Sequence, residues 1–246
     1  MKNLVFVVLL YYHNNQRRKN MITANLLSVG TWLDTAFHGI DYAVFSFFGK
    51  LHAAWLTPFV QIFTELGDSH FVVPMMVLGL VLCFFKKTRK YGMALFLAIL
   101  IGTLITNGIA KPLVARHRPY VSLAGDSAFM GWYTEAGSLT ESDRSFPSGH
   151  TTAAFEMAIA MFLMFKNKKF KWVFPVIAFF VGCSRLYLMV HYFTDVAGGF
   201  ICGVIAGILA YFITKAIVNM LEKSNNKFFK WINDFDLGAL FKRKKA

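Results

Sequence analysis

Three short segments hold nearly all the side chains of this chain that could do chemistry together. They read K-x6-R-P (Lys111, Arg118, Pro119), P-S-G-H (Pro147, Ser148, Gly149, His150) and S-R-x5-H-x3-D (Ser184, Arg185, His191, Asp195). Between them they supply three cations, two imidazoles, two hydroxyls and one carboxylate. A phosphoryl group in transfer spreads negative charge over its non-bridging oxygens, so its catalysis is mostly positioning and cationic stabilisation. The guanidinium forks of Arg118 and Arg185 suit paired phosphate oxygens, and Lys111 adds a point charge. Ser148, Gly149 and His150 fall where a loop becomes a helix, so free backbone N–H groups can bind an anion there while Ser148 also serves as N-cap. His150 is placed to protonate a departing alkoxide. His191 and Asp195 are four apart and share a helix face, and a carboxylate on one imidazole nitrogen leaves the other free to attack.

The His191/Asp195 spacing would also suit a metal. Di-metal phosphatases need several carboxylates, however, and the motifs offer only Asp195 against three cations, so neither metal nor cofactor is expected. Taken together, the eleven specified positions resemble the signature of the type 2 phosphatidic acid phosphatase (PAP2) superfamily of integral-membrane lipid phosphatases, over roughly residues 50–220. The resemblance implies a phosphohistidine formed on His191, with His150 and Asp195 as its catalytic partners. Lys111, Arg118, Ser148, Gly149 and Arg185 become the phosphate-binding set. It implies hydrolysis of a lipid phosphate or diphosphate, with phosphatidylglycerol phosphate, phosphatidic acid and polyprenyl diphosphates as possible substrates. A lipid phosphotransferase and a non-catalytic transporter or scramblase are the alternatives. Vanadium haloperoxidases share these motifs but are soluble.

The elements that must position these residues are membrane helices. Apolar residues make up 56% of the 246 and charged residues 16%, the latter against about 25% in soluble proteins. Apolar runs at 71–85, 91–110, 151–165, 172–190 and 196–214, with a weaker one at 51–66, predict an all-α polytopic bundle of about six spans. Leu33, Phe37, Ile40, Val44 and Phe48 recur at helical spacing and predict an amphipathic helix in the interface before them. The organisation expected is an N-terminal extension at 1–32, a phosphatase domain at 33–220 and a basic tail at 221–246. The first 20 residues read as a surface segment or as an extension upstream of Met21.

The net charge of +13 is gathered at 86–90, 166–171 and 242–245. Such clusters at span ends indicate cytoplasmic loops and not a nucleic-acid surface. Placing them in the cytoplasm puts all three motifs on the extracytoplasmic face of the cell membrane.

Residues 111–149 form a long connection that predicts either a lid or a structural cover. Arg116 and Arg144 within it suggest surplus charge for a diphosphate head group, which puts a lipid such as undecaprenyl diphosphate first and phosphatidylglycerol phosphate second; solvation of both arginines, or their pairing with Asp126, Glu141 or Asp143, is the equal alternative. Glu156, an acid inside an apolar run, is expected to pair with a cation or face a wet cavity. Cys83, Cys183 and Cys202 lie in apolar runs without metal-type spacing and read as buried hydrophobes.

Overall fold

The computed structural model describes residues 29–239, and all the regular structure among them is helical. A helical segment at 29–36 leads into α1 (His38–Gly49). α2 (Thr57–Glu65) and α3 (Ser69–Leu82) follow, broken by a turn at 66–68. α4 (Arg89–Thr103) runs on through a π-helical stretch, Leu104–Ala110, into a last turn, Lys111–Val114. The long connection carries α5 (Ser127–Glu135). α6 (Gly149–Met164), α7 (Val173–Tyr187) and α8 (Phe193–Lys223) complete the bundle, and α9 (Lys227–Asp234) folds back beneath it.

Side-chain caps explain where several helices start. Asp68 accepts from the His70 N–H at 2.9 Å, and Asp126 accepts from the Ala128 and Phe129 N–H groups at 3.0 Å each. Each cap satisfies donors that the first helical turn leaves open.

α6 lies at the centre, packed on α4, α7 and α8. Its approach to α8 depends on Gly199, Gly203 and Gly207, four residues apart and therefore on one face. A Cβ on them would come within 2.6 Å of the Ser148 carbonyl, 2.7 Å of Phe155 Cβ and 2.8 Å of Ile159 Cβ. Small residues at this spacing let helix backbones meet in lipid, where hydrophobic attraction between helices is absent. The outer faces are apolar instead: Phe179 and Phe212 are each 59% exposed. A bilayer solvates such a surface; water does not.

Among the described residues four helices are long and apolar enough to cross a membrane: Thr57–Leu82, Arg89–Ser122, Lys169–Tyr187 and Phe193–Lys223. α6, with 16 residues, is about 24 Å long and traverses the bundle inside this ring. Among the described residues the expected count of about six is not confirmed. Residues 51–66 and 71–85, read as two spans, are two legs of one broken span. At its upper end His52 Nε2 lies 2.7 Å from the Tyr187 carbonyl, and Phe63 meets Phe180 one ring away, 5.1 Å between centroids. At its lower end Leu82 and Cys83 lie against Gly92, at the start of α4. The nine-residue α2 covers only about 14 Å, too little to cross alone.

The N-terminal helix is present, and Phe37 and Ile40 of the stripe expected to meet the interface stay on its outer side. Asp41, Phe45 and Gly49 are buried while Phe37 and Ile40 are 38% and 47% exposed. Asp41 is drawn in by a buried arginine described below, and that polar contact sets the rotation of the helix. Lys86 and Arg89 meet the segment around α9, through Asp234 at 3.2 Å and the Asn233 carbonyl at 3.0 Å. The basic turns at 86–90 and 166–171 thus share the end opposite the three motifs; residues 1–28 and 242–245 lie outside the described residues.

Candidate active site

The three motifs, distant in sequence, meet at one end of the bundle. Lys111 stands where α4 leaves its π-helical stretch, an irregularity often found at functional sites. Arg118 precedes a short turn, Pro119–Ser122. Ser148 to His150 open α6, Arg185 lies in the last turn of α7, and His191 and Asp195 sit at the junction with α8. A cavity of about 400 Å³ joins Lys111, Arg118, Gly149, His150 and His191.

His191 is the most constrained of them. It is 1% exposed. Arg118 Nη1 lies 2.8 Å from His191 Nε2 and 3.0 Å from the Val190 carbonyl. A guanidinium can only donate, so Nε2 carries the lone pair and Nδ1 carries the proton, pointed at Asp195 Oδ2 3.3 Å away. Burial, and then the charges of Arg118 and Arg185, hold the proton affinity of His191 well below the usual histidine range. A neutral imidazole unprotonated at Nε2 is the form a nucleophile needs.

Asp195 is fixed in turn. It accepts from the Tyr192 N–H at 3.0 Å, from Ser145 Oγ, and from Arg116 Nη1 at 2.8 Å. Arg116 is wholly engaged, reaching Asp34 at 2.7 Å, Asp41 at 2.8 Å and Thr194 Oγ1 at 2.7 Å, with its guanidinium 3.6 Å from the Tyr192 ring centroid. Of the two readings of Arg116, a head-group contact or an ion pair, the second holds, with Asp34, Asp41 and Asp195 behind the site as partners and not Asp126, Glu141 or Asp143. Arg144 is exposed and lines a neighbouring hollow of about 760 Å³ that shares Lys111, Arg118 and Asp143 with the cavity.

The cationic side is held differently. Asp143 pairs with both Lys111 and Arg118, and Glu141 pairs with Arg185. Burial alone would raise the Asp143 carboxyl, but Lys111 and Arg118 together bring it down to about 2. These carboxylates lie on the faces of the cations that phosphate oxygens need. Arg185 is 1% exposed, donates to Thr64 Oγ1 at 2.6 Å, and keeps its Nε without a partner.

Ser148 is fully buried and acts as N-cap of α6, its Oγ 2.9 Å from Thr151 Oγ1, while a Cβ at Gly149 would sit 3.4 Å from Lys111 Nζ. His150 Nε2 faces Asp68 Oδ2 at 3.5 Å. A Cβ at Gly67 would come within 2.9 Å of His150 Cβ, so glycine is what lets the Asp68 turn approach.

Asp68, Arg116, Asp34, Asp41, Thr64 and Ser145 were not singled out as site residues from the sequence. An acid between two apolar runs was the available signal for Asp68; the others show no pattern of their own. The long connection is both of the things expected of it. Phe129 and Tyr133 of α5 are buried against Phe45 as a cover, while the stretch with Glu141 and Asp143 lies across the cations.

Helical membrane bundle and clustered motifs together define a membrane phosphatase class, and comparison with known proteins agrees. Residues 91–218 match the PAP2 superfamily. The chain is 31% identical over 204 residues to phosphatidylglycerophosphatase B of Bacillus subtilis, covering 78% of this chain and 90% of that one. It is 26% identical over 169 residues to an undecaprenyl-diphosphatase of Sulfolobus acidocaldarius, covering 67% and 74%. The crystal structure of the transmembrane PAP2-type phosphatidylglycerolphosphate phosphatase of Bacillus subtilis superposes with a TM-score of 0.60 at 27% identity, covering 84% of this chain and 98% of that one. The chain belongs to the PAP2 superfamily and is a multi-pass membrane lipid phosphatase.

Proposed function

We propose that this enzyme hydrolyses a glycerolipid phosphate monoester, phosphatidylglycerol phosphate first among candidates, through a phosphohistidine at the extracytoplasmic face. The observation that carries the mechanism is the paired engagement of His191, with Arg118 on Nε2 at 2.8 Å and Asp195 facing Nδ1 at 3.3 Å. The incoming phosphate displaces Asp143 and Glu141 from Lys111, Arg118 and Arg185, and its oxygens draw Arg118 Nη1 off His191 Nε2, which frees the lone pair. The Nε2 lone pair attacks phosphorus, the P–O bond to the lipid breaks, and protonated His150 gives its proton to the leaving oxygen. The carboxylate of Asp195 stabilises the positive charge that develops on the His191 ring. Water then attacks the P–N bond, His150 takes its proton, and the electron pair returns to Nε2.

Lys111, Arg118 and Arg185 supply the electrostatics a metal would otherwise provide, so the reaction needs none. Asp68 acts through His150 as a positioning residue: burial and the charges of Arg185, Arg118 and Lys111 hold His150 toward its neutral form, Asp68 opposes them, and the incoming phosphate dianion cancels those charges so that the imidazole carries its proton before the leaving group departs. The basic turns at the far end favour placing the site outside the cytoplasm.

The monoester reading is supported by the relative matched over 90% of its length and by the removal of Arg116 from the head-group surface. Arg144, exposed at the outer hollow, is the observation that favours a diphosphate such as undecaprenyl diphosphate instead. Phosphate release from phosphatidylglycerol phosphate, phosphatidic acid and undecaprenyl diphosphate by the purified protein, with and without EDTA, decides among these. Free phosphate with the lipid one phosphate shorter as products exclude the phosphotransferase; neither release nor transfer to a lipid alcohol would leave only the transporter reading.

A further inference from the structure

Glu156 has no place in the mechanism, yet the bundle is built around it. It is 1% exposed, and neither hydrogen bond nor ion pair engages it among the described residues; Oε2 is buried without a partner. It lies six residues beyond His150 on α6, about 9 Å deeper in the bundle, and its side chain tilts back toward the helix start. Its carboxyl fills the notch left by Gly102 of α4, where a Cβ would fall within 1.5 Å of Oε2. That notch opens onto the same 400 Å³ cavity whose upper end holds His150 and His191.

The wall between is polar as well. Thr103 and Asn107, both exposed and four apart, line it on the α4 side. Val72 and Val73 of α3 form an apolar wall of the same cavity. Glu156, Thr103 and Asn107 thus set a polar strip that leads from the phosphate site into the membrane. An isoprenoid chain, apolar from the first carbon beyond its phosphate, would cover that strip without bonding it and leave the buried Glu156 carboxyl unpaired. A glycerolipid brings acceptor oxygens to the same depth. An unpaired charge there is costly, and a protonated carboxyl is an O–H donor.

We infer that Glu156, with Thr103 and Asn107, forms a second subsite that hydrogen-bonds the acceptor oxygens one glycerol unit beyond the scissile phosphate. It thereby selects glycerolipid phosphates over isoprenoid phosphates. Those oxygens are ester carbonyls in phosphatidic acid and phosphodiester oxygens in phosphatidylglycerol phosphate. The inference rests on the lipid-phosphatase reading and adds the part of the lipid that is recognised.

The test compares wild type, Glu156→Gln and Glu156→Leu on four substrates in vesicles. These are phosphatidic acid, its dialkyl-ether analogue, phosphatidylglycerol phosphate and undecaprenyl phosphate. Glu156→Leu is expected to lose at least about tenfold in kcat/KM, or about 1.4 kcal/mol, on one or both ester glycerolipids and nothing on undecaprenyl phosphate. Glu156→Gln, which keeps a donor, should retain the wild-type order. A loss on phosphatidic acid but not on its ether analogue identifies the ester carbonyl; a loss on phosphatidylglycerol phosphate alone identifies the phosphodiester. Equal losses on all four substrates, or none, overturn the subsite, since a water-handling or packing role affects every lipid alike. Should Glu156→Leu fail to fold, Thr103→Val, at the cavity surface, is expected to give a smaller loss with the same selectivity. Wild type releasing phosphate from none of the four would sink the phosphatase reading itself; release without dependence on Glu156 removes only this subsite.

Discussion

The two sides of the active site are held by carboxylates in opposite ways. Behind His191, Asp195 is fully buried and tied to Arg116, which is also bound by Asp41 and Asp34 from the N-terminal helices. In front, Asp143 is 45% exposed at its side chain and reaches Lys111 and Arg118 from a loop. The first arrangement is structural and permanent; the second occupies cations that the substrate must claim. A site that binds a dianion thus keeps its nucleophile rigid and its anion-binding face covered by displaceable acid groups. Reversing the two would leave a mobile nucleophile and a buried charge with no exit.

His191→Ala tests the rigid side most severely. Turnover should vanish while membrane insertion persists, because one imidazole adds little to the packing of the bundle; phosphate release by a pure sample measures it. Arg116→Ala comes next. It strands three carboxylates, and loss of one partner of a buried ion pair costs about 3–5 kcal/mol. The thermal midpoint should drop sharply, and activity should fall equally on monophosphate and diphosphate lipids. A selective loss on diphosphates would return Arg116 to the head group.

Asp68→Asn should lower kcat by about 10²-fold, the lower range for general acid catalysis, on alkyl phosphates. On an aryl phosphate, whose leaving group needs no proton, the loss should nearly disappear. A loss independent of leaving group would mean that Asp68 only shapes the turn. The smallest effect, and the one of opposite sign, belongs to the mobile side. Asp143→Asn removes a competitor for Lys111 and Arg118, so vanadate should bind a few-fold more tightly. The Asp143 carboxyl is held near 2, below its ordinary value near 4. The contribution of this pairing is therefore full above about pH 4 and fades only as pH falls toward 2. Its release in use comes from substrate and not from acid. Weaker vanadate binding in the variant would make Asp143 part of the site's support.

The contrast also marks what the sequence disclosed. Lys111, Arg118, His150, Arg185, His191 and Asp195 were readable because phosphoryl chemistry restricts residue type and spacing, and the structure gathers them around one end of the bundle. The apolar runs were readable because lipid demands them. Their pairing into spans was not: residues 51–66 and 71–85 each look like a crossing, and only the contacts of α2 with α7 make them one. The role of Arg116 was hidden because Asp34 and Asp41 lie more than seventy residues away in sequence. Periodicity marked the apolar stripe with Phe37 and Ile40, but it carries no information about which buried charge the opposite face must serve. The Gly199, Gly203, Gly207 stripe was present in plain spacing and marks the closest helix contact in the site's scaffold.

The most direct test of the account is to trap the intermediate. His150→Ala, supplied with an aryl phosphate, should transfer phosphate to the enzyme but lack the base that activates water for the second step. Acid-labile, base-stable phosphate should then accumulate on His191, bonded at Nε2 because Asp195 faces Nδ1. Phosphate on another residue, on Nδ1, or no covalent phosphate despite turnover would contradict the assignment of His191 as nucleophile.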